Sequence, residues 1–174
     1  HLDVHIPFGP RICPYCALFK HTPASTVMKL FIRALGREAE SRAAALSAGR
    51  GGETDTLYFG GGTLSMLSDT HLGRLMETLD RLVPVDKLDE FSFEANPATF
   101  TEKKVRFWRS LGMTRVSLGV QSLDSGILRL LGREHTPDQA LRSVEMLKNA
   151  GCPISTWTSC SPYRANPSPY GKPP

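Results

Sequence analysis

Apolar positions recur along the chain at a spacing of two, then of about 3.6, then of two again, which is the pattern of strands alternating with helices. Leu2–Ile6 is a short extended run closed by Pro7. From Thr26 to about Leu46, Val27, Leu30, Phe31, Ala34 and Leu35 fall at helical spacing, with Ser25 or Thr26 as cap and Gly49–Gly52 as terminator. Thr56–Phe59 reads as a strand running into Gly60-Gly61-Gly62, and after Ser68 the stripe Leu72, Leu75, Met76, Leu79, Leu82 predicts a second helix. Glu90–Ala95 is a third strand, and Thr101 opens a helix that stops at Gly112. Arg115–Val120 is a fourth strand, followed by helical segments from about Asp124 to Leu131 and from Pro137 to Asn149. Pro153–Ser155 begins a fifth strand.

Connections this long cannot be hairpins, so the strands belong in a parallel α/β sheet with right-handed crossovers. An open doubly wound sheet and part of a βα barrel both fit that order. Strand faces separate the residues further: Phe91 and Phe93 oppose Ser92 and Glu94, and Val116, Leu118 and Val120 oppose Ser117, Gly119 and Gln121. A small or polar row ending in a functional side chain at the strand's C-terminal end suits the inside of a barrel with its site at that mouth.

Composition narrows the class without naming a function. With 174 residues, 40% of them hydrophobic and 22% charged, the chain can bury one core and is not a disordered or collagen-like sequence. The formal charge of +4 is spread over scattered Lys and Arg, so no nucleic-acid partner is expected. No apolar run has the length of a membrane helix and no secretory signal is present, which points to the cytoplasm. The chain begins at His1 instead of Met, so a missing upstream segment is expected.

Four places carry candidate chemistry. Cys13-Pro-Tyr-Cys16, in the loop after the first strand, has the spacing of a metal, iron–sulfur or redox site, with incidental thiols as the plain alternative. Cys152 and Cys160 lack the partner spacing of a zinc ribbon. Gly60–Gly62 closes a strand where backbone amides are able to hold a carboxylate or phosphate, although neither a P-loop nor a dinucleotide fingerprint is present. Glu94 and Gln121 end strands, and Arg133 and His135 follow a helix; each is equally compatible with solvated surface.

In order, His5-Ile-Pro-Phe-Gly9-Pro-Arg-Ile-Cys13-Pro-Tyr-Cys16, Tyr58-Phe-Gly-Gly-Gly-Thr63, Phe93-Glu-Ala-Asn-Pro97, Ser117-Leu-Gly-Val-Gln-Ser122 and Leu131-Gly-Arg-Glu-His135 resemble the radical S-adenosylmethionine proteins of the oxygen-independent coproporphyrinogen III oxidase group, in particular its haem-chaperone branch, HemW. The resemblance implies the N-terminal part of a (βα) radical SAM barrel: about four βα units and a fifth strand over residues 1–155. It also implies a 4Fe–4S cluster and S-adenosylmethionine as cofactors, which together generate a reactive carbon radical. Carried over by position, Cys13 and Cys16 are cluster ligands, and Tyr15 packs near the adenine. Gly61, Gly62 and Thr63 meet the methionyl end, and Glu94, Gln121 and Arg133 are further cofactor contacts, the last two belonging to a second cofactor molecule in some relatives. The implied partners are haem or a porphyrin as cargo, a respiratory apoprotein recipient and an electron donor. Whether the chain is an enzyme stays open, because the chaperone branch performs no porphyrin decarboxylation.

Several positions depart from the family pattern. The first Cys of its C-x3-C-x2-C motif falls on Gly9, so two thiolates remain where three are needed, and a labile or missing cluster is expected. Asp3 replaces a cofactor-contacting Tyr and Leu64 replaces Pro. Leu18 stands where oxidase members carry a further Cys, which favours the chaperone branch. After Ser155 the family's Asp-Leu-Ile-Tyr-Gly-Leu-Pro-Gly-Gln gives way to Thr-Trp-Thr-Ser-Cys-Ser-Pro-Tyr-Arg-Ala-Asn, yet codons for the latter permit a close version of the former one frame over. A frameshift near residue 156, leaving 156–174 as an irregular tail and the product as an impaired fragment or a non-functional one, is the expectation; an authentic disordered tail is the alternative.

Overall fold

The computed structural model describes residues 1–10, 14–16, 19, 21–22, 25–42 and 54–159, with backbone alone for 25–26 and 154–159. Five strands, β1 (Leu2–Ile6), β2 (Thr56–Gly61), β3 (Glu90–Ala95), β4 (Arg115–Gln121) and β5 (Ile154–Ser159), form one sheet in that order, every neighbouring pair parallel. Between them run α1 (Ser25–Ser41), α2 (Asp69–Asp80), α3 (Glu102–Ser110), α4 (Ser125–Leu130) and α5 (Pro137–Asn149). A doubly wound sheet reverses its strand order at a switch point. Strictly sequential order is instead that of a partial (βα) barrel.

Helix starts follow side-chain chemistry. Ser68, Thr101, Asp124 and Thr136 each accept a bond from the amide three residues on, which satisfies one of the orphan donors of a first turn. Thr136 and Gln139 exchange both bonds of a capping box, at 3.2 and 2.8 Å. Ser25 and Thr26, expected as caps, open α1 itself, and the helix runs through Ser41; the rest of its expected length, to about Leu46, lies outside the described residues. The Ser41 hydroxyl there donates to the Glu38 carbonyl at 2.8 Å. The expected terminator Gly49–Gly52 lies outside the described residues.

The alternation expected for β3 and β4 extends across the sheet. Leu57, Phe59, Phe91, Phe93, Ala95, Val116, Leu118 and Val120 occupy one face and share a core with Met28, Ile32, Leu72, Leu75, Val105, Trp108, Ala140 and Leu147 of the helices. Trp108 meets Phe93 edge-on at 4.8 Å, and Phe100 lies 5.3 Å from it, so aromatic contacts lock α3 to the sheet. The register places Asp3, Tyr58, Ser92 and Arg115 in one row on the opposite face, and His5 beside Gly60, and Glu94 beside Ser117, nearer the C-terminal ends.

The sheet does not stop at residue 155. Ser117 pairs with Thr156, Leu118 with Trp157 and Gln121 with Ser159, with irregularities in the ladder. Thr156-Trp157-Thr158 is β-branched and aromatic, composition that favours a pleated strand whatever its origin. Residues 160–174, the remainder of the expected irregular segment and the site of Cys160, lie outside the described residues, as do Cys13 and Leu18. Among the described residues no helix is long and apolar enough to cross a membrane.

Candidate cofactor site at the strand ends

The C-terminal ends of β1 to β4 are bound together by a relay of polar contacts. The Arg133 guanidinium, just after α4, donates through Nη2 to the Asn96 Oδ1 and to the Gly119 carbonyl, both at 2.7 Å. Asn96, two residues past Glu94, donates from Nδ2 to the Thr63 hydroxyl at 2.7 Å. Arg133 Nη1 also reaches the Tyr15 hydroxyl at 3.5 Å, and Pro14 lies against Gly132. Residues from four separated motifs, Tyr15, Thr63, Asn96 and Arg133, thus meet at one mouth.

Close backbone approach explains the glycine run. Gly62 donates to the Ile6 carbonyl at 2.7 Å and Thr63 to the Phe8 carbonyl at 2.5 Å, so the turn after β2 is laced to the chain leaving β1. A Cβ on Gly62 would stand 2.2 Å from the Phe8 oxygen, and Gly61, at φ 106°, faces the His5 ring. The amide of Gly62, within the run offered by the sequence for an anion, is therefore spent on backbone, as is that of Thr63; Thr63 retains its hydroxyl. Beyond it, Lys104 donates to the Ser65 and Leu67 carbonyls at 2.6 and 2.7 Å, tying this turn to α3, and burial pulls its pKa below the usual lysine value.

Glu94 projects from β3 and accepts a 2.7 Å bond from the Tyr58 hydroxyl. Burial, then the bond and charge of Glu94, then Asp3, push the phenol far above its ordinary pKa. Tyr58 is a fixed neutral donor as a result. Gln121 is 8% exposed and sits at φ 68°, while Ser122 donates back to the Val120 carbonyl at 2.9 Å. These are the marks of a γ-turn of the strained hand, a conformation that persists where surrounding structure enforces it. Part of that enforcement is His135, whose Nε2 donates to the same Val120 oxygen at 2.9 Å. His135 is only 6% exposed, against the solvated alternative, and burial followed by the Arg133 charge lowers its pKa.

The loop after β1 is closed by a bridge between Phe8 and His21: Gly9 donates to the His21 carbonyl at 3.0 Å and His21 to Pro7 at 2.6 Å. Cys16 is a half-buried free thiol and Tyr15 beside it is 40% exposed. Cys152 precedes β5 at the other end of the sheet, where burial pushes its thiol up to about 11. It is a core residue remote from the loop. The carboxylate, carboxamides, hydroxyl and guanidinium at the mouth fit the ammonium, carboxylate and nucleoside groups of S-adenosylmethionine. The thiol set does not fit a 4Fe–4S cluster held by three cysteines, because the buried Gly9 supplies no sulfur.

Tyr58 and the bracing role of His135 were not legible as site features in the sequence, and Asn96 was legible only from its strand face. Asn96 continues the Glu94 row with period two, and that signal was available.

Known proteins share both the sequence and the fold. "Heme chaperone HemW" of Lactococcus lactis subsp. lactis (strain IL1403) is 35% identical over 147 residues, covering 84% of this chain and 37% of that protein. The protein of the same name from Bacillus subtilis (strain 168) is 32% identical, covering 85% and 38%. The solved coproporphyrinogen III oxidase HemN of Escherichia coli, described as a radical SAM enzyme, superposes with a TM-score of 0.75 at 30% identity, over 85% of this chain and 34% of that one. The chain therefore spans well under half the length of these relatives. The sequence model of the Radical SAM superfamily matches residues 4–160, and the chain belongs to that superfamily.

Proposed function

We propose that the chain is the S-adenosylmethionine-binding part of a HemW-like haem chaperone, working in the cytoplasm on haem or a porphyrin and handing it to a respiratory apoprotein. The observation that carries this reading is the Tyr15–Arg133–Asn96–Thr63 relay, which joins four family motifs at the mouth of a partial barrel. Its curated relatives named as haem chaperones support the branch.

In this reading Glu94, steadied by Tyr58, faces the cofactor's ammonium, Thr63 and Arg133 face its carboxylate, and Gln121 and Tyr15 flank its nucleoside. S-adenosylmethionine, when reduced by one electron, is a source of a carbon-centred radical. Cys13 and Cys16 would be the remaining thiol ligands for an iron–sulfur cluster, and with Gly9 in the third place the chain is impaired in holding one.

Anaerobic reconstitution with iron and sulfide tests both halves. The chain is expected to retain substoichiometric iron, whereas Gly9→Cys gains about four irons per chain, the content of one cubane cluster. Equal iron in both proteins overturns the assignment of position 9. Titration with S-adenosylmethionine tests the cofactor site separately, and no detectable binding to either protein overturns it.

The superposition on HemN favours one alternative, an oxygen-independent coproporphyrinogen III oxidase. Leu18 counts against it. Anaerobic conversion of coproporphyrinogen to protoporphyrinogen by a full-length, cysteine-restored protein would establish the oxidase.

A further inference from the structure

Resting on the cofactor reading above, we propose that Asn96 is a positioning residue that fixes the Thr63 hydroxyl as a hydrogen-bond donor toward the carboxylate of bound S-adenosylmethionine.

The argument is one of polarity. A guanidinium carries only donors, so the Asn96 atom facing Arg133 at 2.7 Å is necessarily its oxygen. The Asn96 nitrogen then faces Thr63 at 2.7 Å and donates to the hydroxyl oxygen. That contact occupies a lone pair of Thr63 and leaves its hydroxyl hydrogen directed elsewhere. The Thr63 amide is already bonded to the Phe8 carbonyl, so the hydroxyl hydrogen is the residue's one uncommitted polar hydrogen. Among the described residues Asn96 is the hydroxyl's hydrogen-bond partner, and Thr63 as a whole is 3% exposed. A buried hydroxyl held in this way is a donor set for an incoming oxygen.

The charge at the far end decides which oxygen. Each bond in the relay polarises the next, so the positive Arg133 strengthens the donor character of Thr63 two bonds away. An anionic oxygen gains most from such a donor. The carboxylate is the anionic group of the cofactor, whereas 5′-methylthioadenosine carries the nucleoside and a neutral thioether sulfur without the amino-acid end. Comparison of the two ligands therefore separates contacts to that end from general damage to the nucleoside side of the mouth.

Asn96→Asp keeps the acceptor for Arg133 and removes the donor to Thr63. The hydroxyl then turns its hydrogen onto residue 96 and presents lone pairs to the ligand, with the new carboxylate behind it. In calorimetric titrations of the whole chain, Asn96→Asp is expected to weaken S-adenosylmethionine binding by at least about tenfold while 5′-methylthioadenosine stays within about twofold. Thr63→Val, which has no hydroxyl, should show the same selective loss, and the loss in the double variant should fall short of the sum of the two single losses because both remove the same donor hydrogen. Thermal melts of each variant report folding independently. Equal affinity of Asn96→Asp and the parent for S-adenosylmethionine, an equal loss of both ligands, or additive losses in the double variant would each overturn the proposal while leaving the cofactor reading intact. Absence of binding of either ligand to both the parent and Gly9→Cys overturns both.

Discussion

The Tyr58 hydroxyl donates to Glu94 at 2.7 Å across the β2–β3 ladder, so the carboxylate near the C-terminal end of β3 is held by a phenol on the neighbouring strand. The pairing follows from register: Tyr58 sits opposite Ser92, which places Glu94 one step along the same row. Removing the hydroxyl leaves a half-buried carboxylate short of a partner. Tyr58→Phe is therefore expected to cost about 1–2 kcal/mol in urea unfolding at neutral pH.

The same contact sets an alkaline limit. With the phenol raised in the folded chain, the unfolded chain releases this proton first as pH climbs past about 10. Stability supplied by the neutral phenol is complete below that pH and declines above it. Unfolding midpoints between pH 9 and 11 should fall more steeply for the parent than for Tyr58→Phe, and parallel curves would sink the assignment.

Gly62 is where the cofactor turn and the loop after β1 touch. A methyl group there would meet two carbonyl oxygens, at 2.2 Å and 2.7 Å, and both belong to backbone that cannot swing away. Gly62→Ala should destabilise the chain by about 3 kcal/mol or more, the upper range for overpacking. It should also open the Gly62–Ile6 and Thr63–Phe8 bonds. Faster amide exchange at Thr63, against unchanged exchange at Leu118 in the middle of β4, is the expected pattern; uniform acceleration would mean global unfolding alone.

Element order and type were legible because the hydrophobic period is local, and each of β1 to β4 carries its own alternation. Element ends were less so: β2 runs on to Gly61, and β5 continues through Ser159 into sequence unlike the family. Backbone pairing is indifferent to a residue's ancestry so long as its side chains suit a pleat. At the site, motif residues were identified singly, but bonds between motifs were not. Asn96 to Arg133 and Tyr58 to Glu94 depend on strand register, a three-dimensional quantity that one sequence does not encode locally. The Gly62 amide was read as available for a related reason, since its acceptor, Ile6, is more than fifty residues away in the chain.

His135 makes the strained turn at Gln121 sensitive to acid. Its imidazole donates to the Val120 carbonyl from a buried position beside the Arg133 charge, and both surroundings favour the neutral ring. A histidine whose folded pKa is lowered contributes stability that is complete above the unfolded value of about 6.5 and is lost as pH falls below it, because the unfolded chain then binds the extra proton. Between pH 7.5 and 5 the unfolding free energy of the parent should drop with a slope from this group of up to about 1.4 kcal/mol per pH unit. His135→Gln retains a donor for Val120 and cannot titrate, so the difference between the two proteins isolates the imidazole from the acidic side chains they share. The variant should be the more acid-resistant of the pair even if it is the less stable at pH 7.5. Identical slopes would show that His135 is protonated without cost and that the turn at Gln121 is held by the sheet alone.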